Sequence, residues 1–140
     1  MLGIAAHAIL RIGTGLLFFQ HGAPKALSLF GGFGGDPGAT APFDSLIGLS
    51  GWFEVIGGPL IAIGLFTRPV AAILALEMVI AYVRSHMFEG LMPIQNRGEL
   101  ALLYLLVFLF FMVQGAGPLS LDRWIRSRKG EATAPQGAGF

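Results

Sequence analysis

Three formal charges lie inside long apolar stretches of this chain: Arg11, Glu54 and Glu77. Glu54 is the only charge between Leu46 and Phe66. A charge near the centre of a bilayer costs about 2.5–3.5 kcal/mol on insertion scales, so such groups pair inside a bundle or serve a site. A carboxylate left unpaired in lipid is driven to its neutral form and can then exchange a proton. Three roles fit this trio. Arg11 with Glu54 and Glu77 makes an interhelical ion-pair network that fixes packing. Alternatively, the three line a polar cavity that binds a quinone-like head group or relays protons. The third role is a cation-binding site.

A second group gathers toward one end of the apolar stretches. It comprises Lys25, Arg84, His86 and Glu99, with His21 just below. Such residues suit the entrance of a substrate site. Two histidines on different helices could ligate a haem, and His21, His86 and Glu99 could hold a metal. Ordinary hydrogen-bonded interfacial histidines are the plainer reading, and no metal is assigned. His7 lies near the opposite end and is expected at the interface. No Ser-His-Asp order, dinucleotide fingerprint or zinc motif is present.

The elements that must position these groups follow from composition. The chain has 140 residues, enough for one domain. It is 54% hydrophobic and 12% charged, against about 25% charged residues in soluble domains. Its mean hydropathy is +0.72, which makes the lipid bilayer its first partner. A net charge of +1 gives no reason to invoke nucleic acid. The absence of cysteine excludes a thiol relay and a thiolate-held iron–sulfur cluster on this chain. Arg11 interrupts the first apolar run and no basic start precedes it, so that run is expected to be retained as a helix.

A spanning helix needs about 20 mostly apolar residues. Four segments qualify: about Ile4 to Lys25, Phe43 to Phe66, Pro69 to Phe88 and Gly98 to Gly115. The expected fold is all-α, a membrane-spanning four-helix bundle with a short cytoplasmic turn and two longer outer loops. The turn is Thr67-Arg68-Pro69, which makes the second and third helices antiparallel neighbours. The outer loops are the glycine-rich run Gly31 to Gly38, read as a connector or a lid, and Glu89 to Arg97. Residues 1–123 form the transmembrane domain, and residues 124–140 are expected as a basic, disordered cytoplasmic tail. With four spans both termini share one side. That side carries Arg68, Arg123, Arg126, Arg128 and Lys129, against Lys25 and Arg97 on the other. The positive-inside rule places both termini in the cytoplasm of a multi-pass inner-membrane protein.

Helical periodicity decides which groups share a face. On the first helix Arg11, Gly15, Phe18, Gly22 and Lys25 fall on one stripe. On the second, Glu54 shares its stripe with Gly51, Gly58 and Ile61, and small residues there let a neighbouring helix come close. On the third, Glu77 and Arg84 lie on one face two turns apart. Counting about 1.5 Å of rise per residue puts Arg11, Glu54 and Glu77 at matching depth, so Arg11 is expected to pair with an acid.

Several of these residues stand in an ordered set of motifs. They are Arg11-x3-Gly15-x2-Phe18-x2-His21-Gly22-x2-Lys25, Glu54-x2-Gly57-Gly58, and Gly64-Leu65-Phe66-Thr67-Arg68. His86, Gly98-Glu99 with Tyr104, and Gly117-Pro118-Leu119-Ser120-Leu121-Asp122 follow. Together they resemble the DoxX family of integral membrane proteins, over about Arg11 to Arg123. The resemblance implies a four-helix membrane protein of oxidoreductase type, with members linked to quinones, catechols or oxidative stress.

The function expected is a membrane oxidoreductase subunit that handles a quinone or a phenolic substrate within the bundle. Glu54, Glu77 and Arg11 are its candidate catalytic residues. His21, Lys25, Arg84, His86 and Glu99 are its candidate substrate-binding residues. A quinone is the one cofactor the sequence favours. Electrons would come from a soluble or membrane redox partner, or directly from the substrate, and a homo-oligomer is compatible with the chain. The rival functions are a non-catalytic scaffold for soluble redox enzymes and a small carrier of a hydrophobic solute. No inverted repeat of the transporter kind is visible.

Overall fold

The computed structural model describes residues 1–128 and 130. All regular structure among them is helical: α1 (Leu2–Leu27), α2 (Leu46–Ile63), α3 (Thr67–Ser85), α4 (Pro93–Asn96), α5 (Glu99–Gln114) and α6 (Leu121–Arg128), with a 3-10 turn at Phe33–Gly35. By length and apolar composition, α1 and α2 are able to cross a membrane. The equally apolar α5 is shorter, at 16 residues.

The ends of these helices follow from local chemistry. Ser45 caps α2, its hydroxyl accepting from the Gly48 N–H at 3.0 Å. Gly64 ends α2 in the left-handed region, φ 72°, and its N–H returns to the carbonyls of Leu60 and Ile61. The turn that follows is Gly64 to Phe66. Thr67 already belongs to α3, so the tight turn lies slightly earlier than Thr67-Arg68-Pro69. The last helix also differs from expectation. Leu121–Arg128 is helical where polar tail was expected to begin, while residues 129 and 131–140 of that tail lie outside the described residues.

Two antiparallel pairs make up the body, α1 on α2 and α3 on α5. In the first pair the helices touch through glycine. A Cβ built at Gly22 would fall 2.6 Å from the Glu54 Cβ and 2.6 Å from the Gly51 carbonyl oxygen. Gly15 meets Gly58 and Ala62 in the same way. Small residues here allow the backbone approach that holds helices together in lipid, where apolar burial adds little between them. The pairs meet over Phe18, Ile61, Leu74, Met78, Phe108 and Phe111, all buried. Leu16, Leu17, Leu76, Leu103 and Leu106 point outward, an apolar surface suited to lipid.

Candidate functional site

The expected stripe on α1 exists: Arg11, Gly15, Phe18 and Gly22 are all buried. Its two ends do different things. At the upper end, the Lys25 ammonium donates to both carboxylate oxygens of Glu54, at 2.7 and 2.6 Å. The Glu54 side chain is 5% exposed and that of Lys25 is 25% exposed. The pair forms because Gly51, one turn from Glu54, leaves room for the lysine stem: a Cβ at Gly51 would fall 2.7 Å from the Lys25 Cβ.

At the lower end, Arg11 makes no ion pair with Glu54 or Glu77, contrary to the expectation from depth. Its guanidinium donates to three backbone carbonyls. Nε reaches Ala62 at 3.3 Å, Nη1 reaches Ala116, and Nη2 reaches Leu119 at 2.6 Å. Arg11 stands level with Ala62 and Gly64, where α2 ends, and so lies well below Glu54. The rigid fork of donors suits this work. The same corner is closed by Asp122, whose carboxylate accepts the N–H groups of Phe66 at 2.9 Å and Thr67 at 3.1 Å. That contact caps α3 from a distant part of the chain.

Glu77 differs from both. It is 9% exposed, and neither carboxylate oxygen has a hydrogen-bond partner among the described residues. Glu54 and Lys25 lie within coulombic reach of it, as Glu54 does of Tyr104. Glu77 also forms part of the wall of a groove of about 230 Å³ between α2 and α3. Phe53, Ile73 and Ile80 line that groove with it, and so does Arg84.

His21 is exposed, its ring edge-on to Tyr104 with centroids 5.7 Å apart. The structure therefore gathers Glu54, Lys25, Glu77, Tyr104 and His21 around the upper half of the bundle. It leaves two others apart. His86 lies just beyond the end of α3, not inside a helix reaching Phe88, and its Nδ1 contacts the Asn96 carbonyl at 2.8 Å. Glu99 is exposed in the first turn of α5, where a negative charge favours the helix start. Among the described residues no three His, Asp or Glu side chains come together as metal ligands, so His21, His86 and Glu99 do not form a joint site.

The family model for DoxX matches residues 6–87. The chain belongs to the DoxX family. With its two apolar helices, this DoxX protein is a membrane protein. The match holds α2, α3 and all but the first residues of α1, and with them Arg11, Lys25, Glu54 and Glu77. Among curated relatives, a Haemophilus influenzae protein named "Uncharacterized protein" is 42% identical over 118 residues, covering 82% of this chain and 87% of its own. A Bacillus subtilis protein named "Putative oxidoreductase CatD" is 32% identical over 124 residues, covering 84% of each chain. No solved structure matches significantly.

Sequence reasoning missed the partner of Glu54, although Lys25 was in view on the correct stripe. It also missed Asp122 as the cap of α3. It missed Asn96, which is fully buried and donates to Tyr82 Oη at 3.2 Å and the Gly90 carbonyl at 3.0 Å. An Asn three residues past a proline, in a segment expected to be an outer loop, carries no signal strong enough to have found it.

Proposed function

We propose that this DoxX protein is an integral membrane oxidoreductase subunit that handles a quinone or a phenolic molecule inside a four-helix membrane bundle. Both termini lie in the cytoplasm, and residues 1–123 are the functional domain. The observation that carries this reading is the polar cluster in the upper bundle, where the Lys25–Glu54 pair lies beside a buried Glu77 that has no partner. Ionisable groups this deep are costly, and a site that moves protons gives them a use. The relative named as an oxidoreductase adds to it.

Reducing a quinone takes two electrons and two protons. The electrons come from a redox partner, and the carboxyl groups serve as the proton exchangers. Lys25 holds Glu54 in place and offers its ammonium to a substrate oxygen. Tyr104 and His21 line the route toward the outer end. Arg11 leaves the catalytic set, because each of its three nitrogens donates to a backbone carbonyl, joining α1, α2 and the segment after α5.

The test is redox turnover of a quinone by the full chain in reconstituted membranes, with any co-purifying partner. Glu54→Gln preserves size and is expected to fold while losing at least tenfold in turnover. Full activity in a folded Glu54→Gln protein refutes the proton role. Absence of turnover in the wild-type protein with its partner transfers the protein to the scaffold class.

A further inference from the structure

The short helix α6 takes no part in the polar cluster, and its first residues fix its place. The Asp122 N–H donates to the Gly64 carbonyl at 2.9 Å, and the Asp122 carboxylate accepts from Phe66 and Thr67. α6 therefore begins level with the end of α2 and the start of α3. With α2 crossing the membrane, as its length and composition allow, that level is a boundary of the bilayer.

Helical periodicity puts Leu121, Trp124, Ile125 and Arg128 on one stripe of α6, with Arg123 and Arg126 on the opposite side. Leu121 and Ile125 are half-buried. Trp124 shares their stripe but is 51% exposed, so the apolar stripe runs past the cover that the protein gives it. An indole, apolar in body with one N–H, settles at the headgroup level of a bilayer. The Arg128 guanidinium lies over this ring, 4.2 Å from its centroid. A helix with a tryptophan on its apolar side and arginines on the other has the pattern of one that lies in the membrane interface.

The charge at this end is one-sided. Arg68, Arg123, Arg126 and Arg128 are all exposed there. Among the described residues the one ion pair is Lys25–Glu54, at the other end of the α1 stripe. Asp122, the acid nearest these arginines in the chain, is turned to the N–H groups that it caps. Arg126 and Arg128 suit the last turn of α6, where cations favour the helix dipole. Arg123 and Arg68 do not: they stand in the first turns of α6 and α3, where a cation is disfavoured. Helix stability therefore does not account for them, and the protein supplies them no counter-charge.

We propose that α6 is an interfacial helix that binds anionic lipid, with Trp124 in the headgroup layer and Arg123, Arg126 and Arg128 gathering lipid phosphates. Arg68, at the start of α3, adds to the same basic face. Basic residues are attracted to an anionic bilayer surface within a Debye length. The bonds of Asp122 hold α6 at that depth, so the surface is built before lipid arrives. This role is independent of the redox reading.

The experiment uses the full chain carrying Trp52→Phe, which leaves Trp124 as its one tryptophan. It is placed in phosphatidylcholine nanodiscs. Trp124 fluorescence is quenched by either phosphatidylglycerol or phosphatidylcholine, each spin-labelled near the carbonyl of the same acyl chain. The two probes differ in headgroup charge. Phosphatidylglycerol is expected to be preferred at Trp124 by at least about fivefold, the effect of one basic residue near an anionic surface. Raised salt should reduce that preference in the unaltered helix. The exposed triple variant Arg123→Gln, Arg126→Gln, Arg128→Gln should bring it below about twofold. Arg97→Gln, which removes a charge away from α6, should leave it unchanged. Equal quenching by the two probes, or a preference that persists in the triple variant, overturns the proposal. An equal loss in Arg97→Gln also overturns it, because net charge and not this helix then sets the preference. Trp124 unquenched by either lipid places α6 out of the bilayer and overturns it as well.

Discussion

Loss of Lys25 should harm this protein more when Glu54 is still present than when it is gone. The ammonium lies 2.6 and 2.7 Å from the two oxygens of Glu54. At an effective dielectric constant of about 20, unit charges at that distance attract by about 6 kcal/mol before desolvation is counted. Desolvation offsets much of this, and removing one partner of a buried pair costs about 3–5 kcal/mol. Lys25 keeps 25% of its side chain exposed, which places the expected loss for Lys25→Met near the lower limit, about 3 kcal/mol. Glu54→Gln keeps the shape and one acceptor and should lose about 2 kcal/mol. In the double variant no charge is stranded, and the loss should stay near about 2 kcal/mol rather than the sum of about 5. Reversible unfolding of the four proteins in lipid bicelles measures the cycle. Additivity within about 0.5 kcal/mol refutes the coupling. The cycle of Arg11→Ala with Glu54→Gln is the internal control, and it should be additive because Arg11 bonds only to backbone carbonyls.

Arg11→Lys keeps the charge but cannot span three diverging carbonyls, so it should destabilise by about 3 kcal/mol in the same unfolding assay. An unchanged stability would show that the three contacts contribute nothing. Gly22→Val places a branched side chain where even a Cβ meets Glu54 and Gly51, and should cost about 3 kcal/mol by forcing α1 from α2. Retention of wild-type stability there would show that the two helices are free to separate. A reporter active only outside the cell, fused to the C-terminus, should stay silent, and strong signal would reverse the proposed orientation.

The faces of the helices were legible and the pairing across them was not. Arg11, Gly15, Phe18 and Gly22 come out on one buried stripe because helical periodicity needs only the count along one chain. Pairing needs the offset between two chains. Equating depth with residue count treats the helix ends as level, and on that basis Arg11 faced Glu54. The glycine contacts set a different offset, with Gly15 against Gly58 and Ala62 and Gly22 against Gly51 and Glu54. Arg11 thereby meets the end of α2, and Lys25 reaches the acid. Glu77 was visible as a charge in an apolar run, but nothing in its local sequence reveals that it is left without a donor. The capping role of Asp122 was hidden for a similar reason, since 55 residues separate it from Thr67.

The arginine anchor has a consequence for the order of assembly. Arg11 belongs to α1, yet two of its three acceptors, Ala116 and Leu119, are synthesised more than 100 residues after it. During biosynthesis α1 must therefore carry a guanidinium whose final partners do not yet exist. The first hairpin supplies only the Ala62 carbonyl. A nascent chain halted after Gln114 would hold all four long helices and still leave two of this charge's three acceptors unmade. Completion of the segment from Gly115 to Asp122 then acts as a latch, closing the earliest helix with the latest.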